Sequence, residues 1–220
     1  SQAFNQMRTR IKRFLKQRTD MLAGVSHDLR TPLTRMKLQL SLIKDKKAKS
    51  ELEIDINEMT AMLDSYVSFV KTESPETIEN IIINDIIKDC IKNDDKKKYS
   101  IKLIENDVIQ TSGRPIQLKR AFQNIIDNSK RYANEIIIYI FLDENGCNVN
   151  IDDNGPGIPP EKYEDVFKPF FTLDVSRNKL KGESGLGLTI TRDIIRSHGG
   201  EIKLDKSSSG GLKLSVLLPI

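Results

Sequence analysis

Three groups of residues in this chain of 220 have types and spacings that can do chemistry. The first centres on His27, one of two histidines. Around it the apolar residues run Leu22, Val25, Leu29, Leu33, Met36, Leu40 and Ile43, in the steps of three and four that mark one face of a helix. At about 100° per residue that stripe centres near Leu22 and Leu40, which puts His27 roughly 160° away, on the wet face. A lone histidine on a helix is more often incidental than catalytic, but the neighbours change its weight. Thr31 lies one turn later on the same face, Gly24 one turn earlier leaves the ring uncrowded, and Asp28 adjoins it. Asp28 can accept a hydrogen bond from one ring nitrogen and leave the other as a nucleophile. Pro32 removes a backbone donor, so a local bend is expected there.

The second group is Asn124 and Asn128, four apart on one helix face, whose amide oxygens can ligate a hard cation; Arg131 and Tyr132 follow them. The third has two glycine-rich pieces. Asp153-Asn154-Gly155-Pro156-Gly157-Ile158 follows a strand and puts a carboxylate beside backbone that can approach a ligand closely, although an ordinary turn reads equally well. Ser184-Gly185-Leu186-Gly187-Leu188 opens a helix, where free N–H groups favour phosphate. Neither the G-x-x-x-x-G-K-[ST] loop nor the G-x-G-x-x-G fingerprint is present.

Two kinds of element must position these residues. The helix carrying His27 is followed by a second amphipathic one with Leu52, Ile56, Met59, Leu63, Tyr66 and Val70 inward. The short polar stretch 44–50 predicts an antiparallel hairpin. One hairpin leaves its apolar stripe uncovered, so a homodimeric four-helix bundle is expected. Residues 4–18 extend the first helix upstream. Around 73–79 the helical period stops at Pro75, which reads as a linker. Beyond it the pattern predicts strands at 78–83, 99–104, 135–142, 147–152, 201–204 and 212–218, with helices at 84–93, 115–132 and 186–197. The fold class is α+β, two domains: a helical hairpin, then an α/β layered domain.

Composition narrows the setting. A 25.0 kDa chain with 38% hydrophobic and 30% charged residues is globular, and no apolar run reaches the roughly 20 residues of a membrane helix. Cys90 and Cys147 are too few for a disulfide framework and read as packing. The net charge of +4 conceals an asymmetry: through Lys49 there are 13 Lys and Arg against 3 Asp and Glu, +10, and the remainder is −6. A solvated face is the default for such a basic stretch; nucleic acid, anionic lipid or an acidic protein partner are the alternatives.

Five stretches together resemble the sequence boxes of the two-component sensor histidine kinases. Ser26-His27-Asp28-Leu29-Arg30-Thr31-Pro32-Leu33 is similar to the H box, and Asn124-Ile125-Ile126-Asp127-Asn128-Ser129-Lys130-Arg131-Tyr132 to the N box. The run from Asp153 to Ile158 resembles the G1 box, Phe167-Lys168-Pro169-Phe170 the F box, and Ser184 to Leu188 the G2 box. The H-box context is most similar to the EnvZ-type osmosensors.

The resemblance implies the end of a HAMP-like connector helix at 1–20, a dimerisation and phosphotransfer domain at 21–72, a linker at 73–76, and an Hsp90/gyrase-like ATP-binding sandwich at 77–220. His27 would take the γ-phosphoryl group of ATP, with Asp28 orienting and deprotonating its ring and Arg30 beside them in the H box. Asn128 and Asn124 would hold Mg²⁺. Arg131 would lie near the phosphates, Tyr132 against the nucleotide, and Asp153 on the adenine amino group. Gly155 and Gly157 would allow close approach, and Gly185 and Gly187 would receive the phosphates. Lys130, Ile158, Ser184, Leu186 and Leu188 complete the nucleotide-binding boxes. Asp28-x-x-Thr31 is similar to the family's phosphatase signature, in which Thr31 positions a water. The implied partners are a second copy of the chain and an acidic, OmpR-like receiver domain, with no nucleic acid and a membrane reached only through a missing N-terminal region. The setting is the cytoplasmic side of a bacterial inner membrane, with this portion soluble.

Three positions depart from the pattern: Ser129 where Ala is common, Glu183 where Gly is usual, and Thr172 where Arg often follows the F box. Glu183 and the lid-like stretch 172–183 leave room for weak ATP turnover. Two rivals follow, a dimeric signalling scaffold, or phosphatase-biased kinase, and an ATPase clamp of the chaperone or topoisomerase kind. The clamp has no use for an H box.

Overall fold

A computed structural model describes residues 2–43, 45–71, 76–92, 99–173 and 185–220. The chain divides into two compact units, one up to Ser74 and the other over Pro75–Phe171 and Gly185–Ile220.

The first unit is a hairpin of α1 (Gln2–Gln39) and α2 (Lys46–Lys71). The stretch 4–18 and the His27 segment form one unbroken helix, and α1 continues through Pro32, which stands inside it. The turn is shorter than the polar stretch 44–50 suggests. Leu40–Leu42 tighten into a 3₁₀ turn, Ile43 is extended, and α2 already begins at Lys46. The reason is Asp45, whose Oδ1 accepts the backbone N–H groups of Lys47 (2.9 Å) and Ala48 (3.3 Å) and caps the helix. Leu33, Leu40 and Ile56 are buried together, with Ile43 and Leu63 packed on them. Of the other residues expected inward, Val25, Leu29 and Met36 of α1 and Leu52 and Met59 of α2 are exposed in the single hairpin, and the side chains of Leu22, Tyr66 and Val70 lie outside the described residues. Two helices can bury only the residues that face each other, and the five exposed ones lie off that line.

The second unit carries a five-stranded sheet in the order β2-β4-β5-β7-β6. Its strands are β2 (Ser100–Glu105), β4 (Glu135–Asp143), β5 (Gly146–Asp153), β6 (Glu201–Lys206) and β7 (Leu212–Leu218). Only β2 and β4 run parallel; the β4-β5, β5-β7 and β6-β7 pairs are antiparallel. A separate two-stranded ribbon pairs β1 (Glu79–Ile82) with β3 (Gln110–Gly113). Period-2 alternation buries Ile136, Ile138 and Ile140 of β4 and Leu212, Leu214, Val216 and Leu218 of β7 on one face. Among the helices, α3 (Ile83–Ile91) packs on α4 (Pro115–Tyr132), and α4 on α5 (Gly187–Ser197). The buried face of α4 is Leu118, Ala121, Phe122, Ile125, Ile126 and Ser129. Both cysteines are buried, which pushes each thiol up to about 11 and leaves it inert near neutral pH.

The start of α4 is fully accounted for. Pro115 has no N–H to satisfy, Ile116 and Gln117 donate to the two oxygens of Glu76 (2.6 and 3.2 Å), and Arg114 donates its N–H to His198 Nε2 (3.0 Å). His198 Nδ1 stands 2.8 Å from the Ile194 carbonyl, so it donates there and the ring is neutral. Burial lowers the His198 pKa below its usual 6.5, and the Arg114 charge adds to that; the Ile194 bond and Glu76 oppose it. A folded-state pKa below the unfolded one means that the unfolded chain binds the proton more readily. Stability is therefore full above 6.5 and declines as pH falls through 6.5 toward the lowered value. Thermal unfolding followed from pH 7.5 to 5.5 is expected to show a falling melting temperature in the second unit, and His198→Gln is expected to flatten that decline. A slope unchanged by the substitution would contradict this role.

Candidate active site

The carboxylate of Asp153 ends β5 and is buried, with 4% of the residue exposed. Its Oδ1 accepts the N–H groups of Gly155 (2.9 Å) and Leu212 (3.0 Å), and its Oδ2 accepts the hydroxyl of Ser129 (3.2 Å). Such crowding of donors needs small residues around it. A Cβ on Gly155 would stand 3.1 Å from both Asp153 Oδ1 and the Tyr132 carbonyl oxygen, and one on Gly211 would collide with the carbonyl and carboxylate oxygens of Asp153. Gly157 takes φ +70°, a left-handed conformation that glycine adopts without strain. Asn154 holds the same turn to the end of α4, accepting the N–H groups of Asn134 and Glu135 at 3.2 and 3.1 Å. The adjacent Asp152 is also buried; desolvation pushes its pKa up, and Lys213 offsets only part of that.

Helix α4 is the wall that joins the pieces. Asn124 donates its amide N–H to the Gly187 carbonyl at 3.3 Å, which ties α4 to the first residue of α5 and leaves Asn124 Oδ1 as the free end of that amide. One turn on, the half-buried Asn128 side chain has no hydrogen-bond partner among the described residues. Lys130 pairs with Asp127 at 3.5 Å, while Arg131 and Tyr132 are exposed at the helix end.

At the start of α5, Leu186 stands at the cap and, among the described residues, no side chain accepts the first N–H groups of the helix. The F-box turn holds this end in place. Phe170 donates its N–H to the Gly185 carbonyl (3.0 Å), and Thr189 donates its hydroxyl to the Phe167 carbonyl (2.9 Å). Arg192 lies 4.6 Å over the Phe167 ring and bonds Glu164 at 3.3 Å. Phe170 itself has φ 61° and Gly185 φ 63°, two left-handed residues back to back.

The expected site residues thus fall into two places. Asn124, Asn128, Lys130, Arg131, Tyr132, Asp153, Gly155, Gly157, Ile158, Gly185, Leu186, Gly187 and Leu188 belong to the second unit, where α4 links the ends of β5 and α5. In α1 of the first unit, Asp28, Arg30 and Thr31 are exposed and His27 is a helical residue. The His27 side chain, Ser184, Glu183 and most of the 172–183 stretch lie outside the described residues. Among the described residues no group of three His, Cys, Asp or Glu could hold a metal. The amide oxygens of Asn124 and Asn128 are hard donors that would fit Mg²⁺ together with a ligand's phosphates. Sequence reasoning missed three supports: the Leu212 N–H, the role of Gly211, and the Ser129 hydroxyl. The Gly210-Gly211 pair was the available signal for the first two.

A helical layer lies on a mixed sheet, and a buried acid at a strand end and a helix start are both tied to α4, through Ser129 and Asn124. Residues 113–220 match the family described as histidine kinase-, DNA gyrase B- and HSP90-like ATPase, and residues 17–75 match the His Kinase A (phospho-acceptor) domain. The chain belongs to the sensor histidine kinase family. It is 31% identical to the sensor histidine kinase GtrS of Pseudomonas aeruginosa over all of this chain and 46% of that protein, and 30% identical to CpxA of Escherichia coli over 99% and 50%. The chain spans about half the length of these relatives. Among solved structures, full-length ShkA in complex with AMPPNP aligns with a TM-score of 0.66 at 16% identity, over 91% of this chain and 45% of that one. Acinetobacter baumannii AdeS aligns at 0.60 and 20%, over 88% and 97%. At these identities the likeness is one of fold.

The Gly185 geometry is directly testable. A Cβ there would stand 2.8 Å from the Phe170 backbone in a left-handed residue, whereas one on Gly24 meets nothing within 4 Å. Gly185→Ala is expected to destabilise the second unit by about 1–3 kcal/mol and to weaken nucleotide binding. Gly24→Ala should be neutral or stabilising by up to about 1 kcal/mol as a helical substitution. Thermal melts and a fluorescent-nucleotide titration of both variants check this; equal effects would refute it.

Proposed function

We propose that this chain phosphorylates its own His27 from ATP and passes the phosphoryl group to an aspartate of a response-regulator receiver domain. The observation that carries the reading is the triply held Asp153 carboxylate, tied by Ser129 to the same helix that Asn124 ties to the start of α5, in a chain that also carries the His27 helix. The domain limits proposed are the connector end at 1–20, the phosphotransfer hairpin at 21–72, the linker at 73–76 and the ATP-binding domain at 77–220.

Asp153 Oδ2 accepts the adenine amino group, and the turn through Gly155, Gly157 and Ile158 lies against the base. The N–H groups from Gly187 onward receive the phosphates, with Gly185, Leu186 and Leu188 shaping that end and Ser184, Lys130, Arg131 and Tyr132 at its margin. Asn128 and Asn124 hold Mg²⁺, which neutralises charge on the phosphates when bound. A ring nitrogen of His27 forms a bond to the γ-phosphorus as the bridging bond to the β-phosphate oxygen breaks, and ADP leaves. Asp28 takes the proton from the other ring nitrogen, with Arg30 adjacent. This division fits phosphoryl transfer, which depends on alignment and charge neutralisation more than on covalent help. Thr31, exposed one turn from His27, positions a water against the phosphorylated receiver and gives the chain a second, phosphatase activity.

The basic segment that bears His27 suits an acidic receiver, OmpR-like if the EnvZ-type likeness extends to the partner; attraction between them speeds encounter and weakens with salt. The exposed Val25, Leu29, Met36, Leu52 and Met59 support a homodimer through the hairpin. Light scattering at micromolar concentration is expected to give twice the chain mass, and a monomer would contradict it. With γ-labelled ATP and Mg²⁺ the chain is expected to gain an acid-labile label that His27→Ala abolishes. Thr31→Ala is expected to keep the label while slowing loss of phosphate from the receiver. No label on a folded chain would favour a dimeric scaffold, and equal loss of both activities in Thr31→Ala would refute the water-positioning role.

A further inference from the structure

The Asp153 carboxylate is held more fully than a base acceptor requires. A carboxylate offers about four lone-pair sites. Two are taken on Oδ1 by Gly155 and Leu212, and these bonds fix that oxygen and the chain leading to it. They leave Oδ2 without a donor of its own, so the residual rocking of the carboxylate is felt at that oxygen. The Ser129 hydroxyl, donating to Oδ2 at 3.2 Å, removes that last freedom. Ser129 is itself 4% exposed, on the buried face of the helix that carries Asn124 and Asn128. Its hydroxyl is therefore anchored to the same rigid element that meets the start of α5 through Asn124.

We propose that Ser129 is a positioning residue for base recognition: its hydroxyl fixes Asp153 Oδ2 so that the one remaining acceptor site faces the exocyclic amine of an adenine base. This deepens the reading of Asp153 as the base acceptor and rests on it. A fixed acceptor rewards an N–H donor at that place and repels a carbonyl oxygen, whereas a carboxylate free to turn would do both less. Ser129 thus contributes selectivity without touching the nucleotide.

The test uses the full chain and measures dissociation constants for ATP and for purine riboside triphosphate, which lacks the 6-amino group, by displacement of a fluorescent nucleotide. Thermal melts check folding. Ser129→Ala is expected to weaken ATP binding by roughly three- to tenfold, the size of one hydrogen bond to a charged group, and to leave the purine analogue within about twofold. Ser129→Thr, which keeps the hydroxyl, is expected to retain most of the ATP preference. Unchanged or tighter ATP binding in Ser129→Ala, or an equal loss for both ligands, overturns the proposal. Asp153→Asn separates the two levels. If it leaves the ratio of the two constants unchanged, the base-acceptor reading itself fails, whatever Ser129 does.

Discussion

The buried, charged carboxylate at the end of β5 is the constraint on which the second unit depends. Burying such a group is unfavourable unless donors meet it, and here the donors come from three separate segments: the turn after β5, the first residue of β7 and the last turn of α4. Each segment must therefore arrive with small residues and little freedom. Gly155 and Gly211 follow from this demand, as does the β5-β7 pairing that brings Leu212 alongside. Removing any one donor leaves the others holding a less satisfied charge, so the site's geometry and the local stability are coupled.

The same helix that supplies Ser129 also supplies the asparagines and contacts α5. On the proposed reading, α4 forms a wall between the base end and the phosphate end, which suits a reaction in which alignment contributes most of the rate. The hairpin unit has the opposite character. Its basic charge and its exposed apolar residues lie on helices whose buried cluster, among the described residues, is Leu33, Leu40 and Ile56. Exposed apolar positions of this kind are what the proposed second copy would cover, and association would then add to the stability of the hairpin.

Much of this was legible in the sequence because the signals were periodic. Helix α4 spans the 115–132 expected from its apolar rhythm and Pro115, and β7 spans 212–218 as the alternation required. The ribbon strand at Gln110–Gly113 escaped notice because Gln110-Thr111-Ser112-Gly113 has no alternation of its own; it is made by pairing with β1. The hairpin turn was drawn too long because a lysine-rich run reads as loop, and the capping role of Asp45 outweighed it. In the site, the glycines and Asp153 announced themselves as a motif. The Leu212 N–H and the Ser129 hydroxyl could not, since one is backbone brought in by strand pairing and the other lies on a buried helix face that reads as packing.

The functional reading requires that a nucleotide lie along α4 between the ends of β5 and α5. Titration of the ¹⁵N-labelled chain with ATP and Mg²⁺, read by amide chemical shifts, tests it most directly. Shifts are expected at Gly155, Leu212 and the residues from Gly187 to Thr189, together with the Asn124 and Asn128 side-chain amides. Saturation with those resonances unmoved, or with shifts confined to other surfaces, would contradict it.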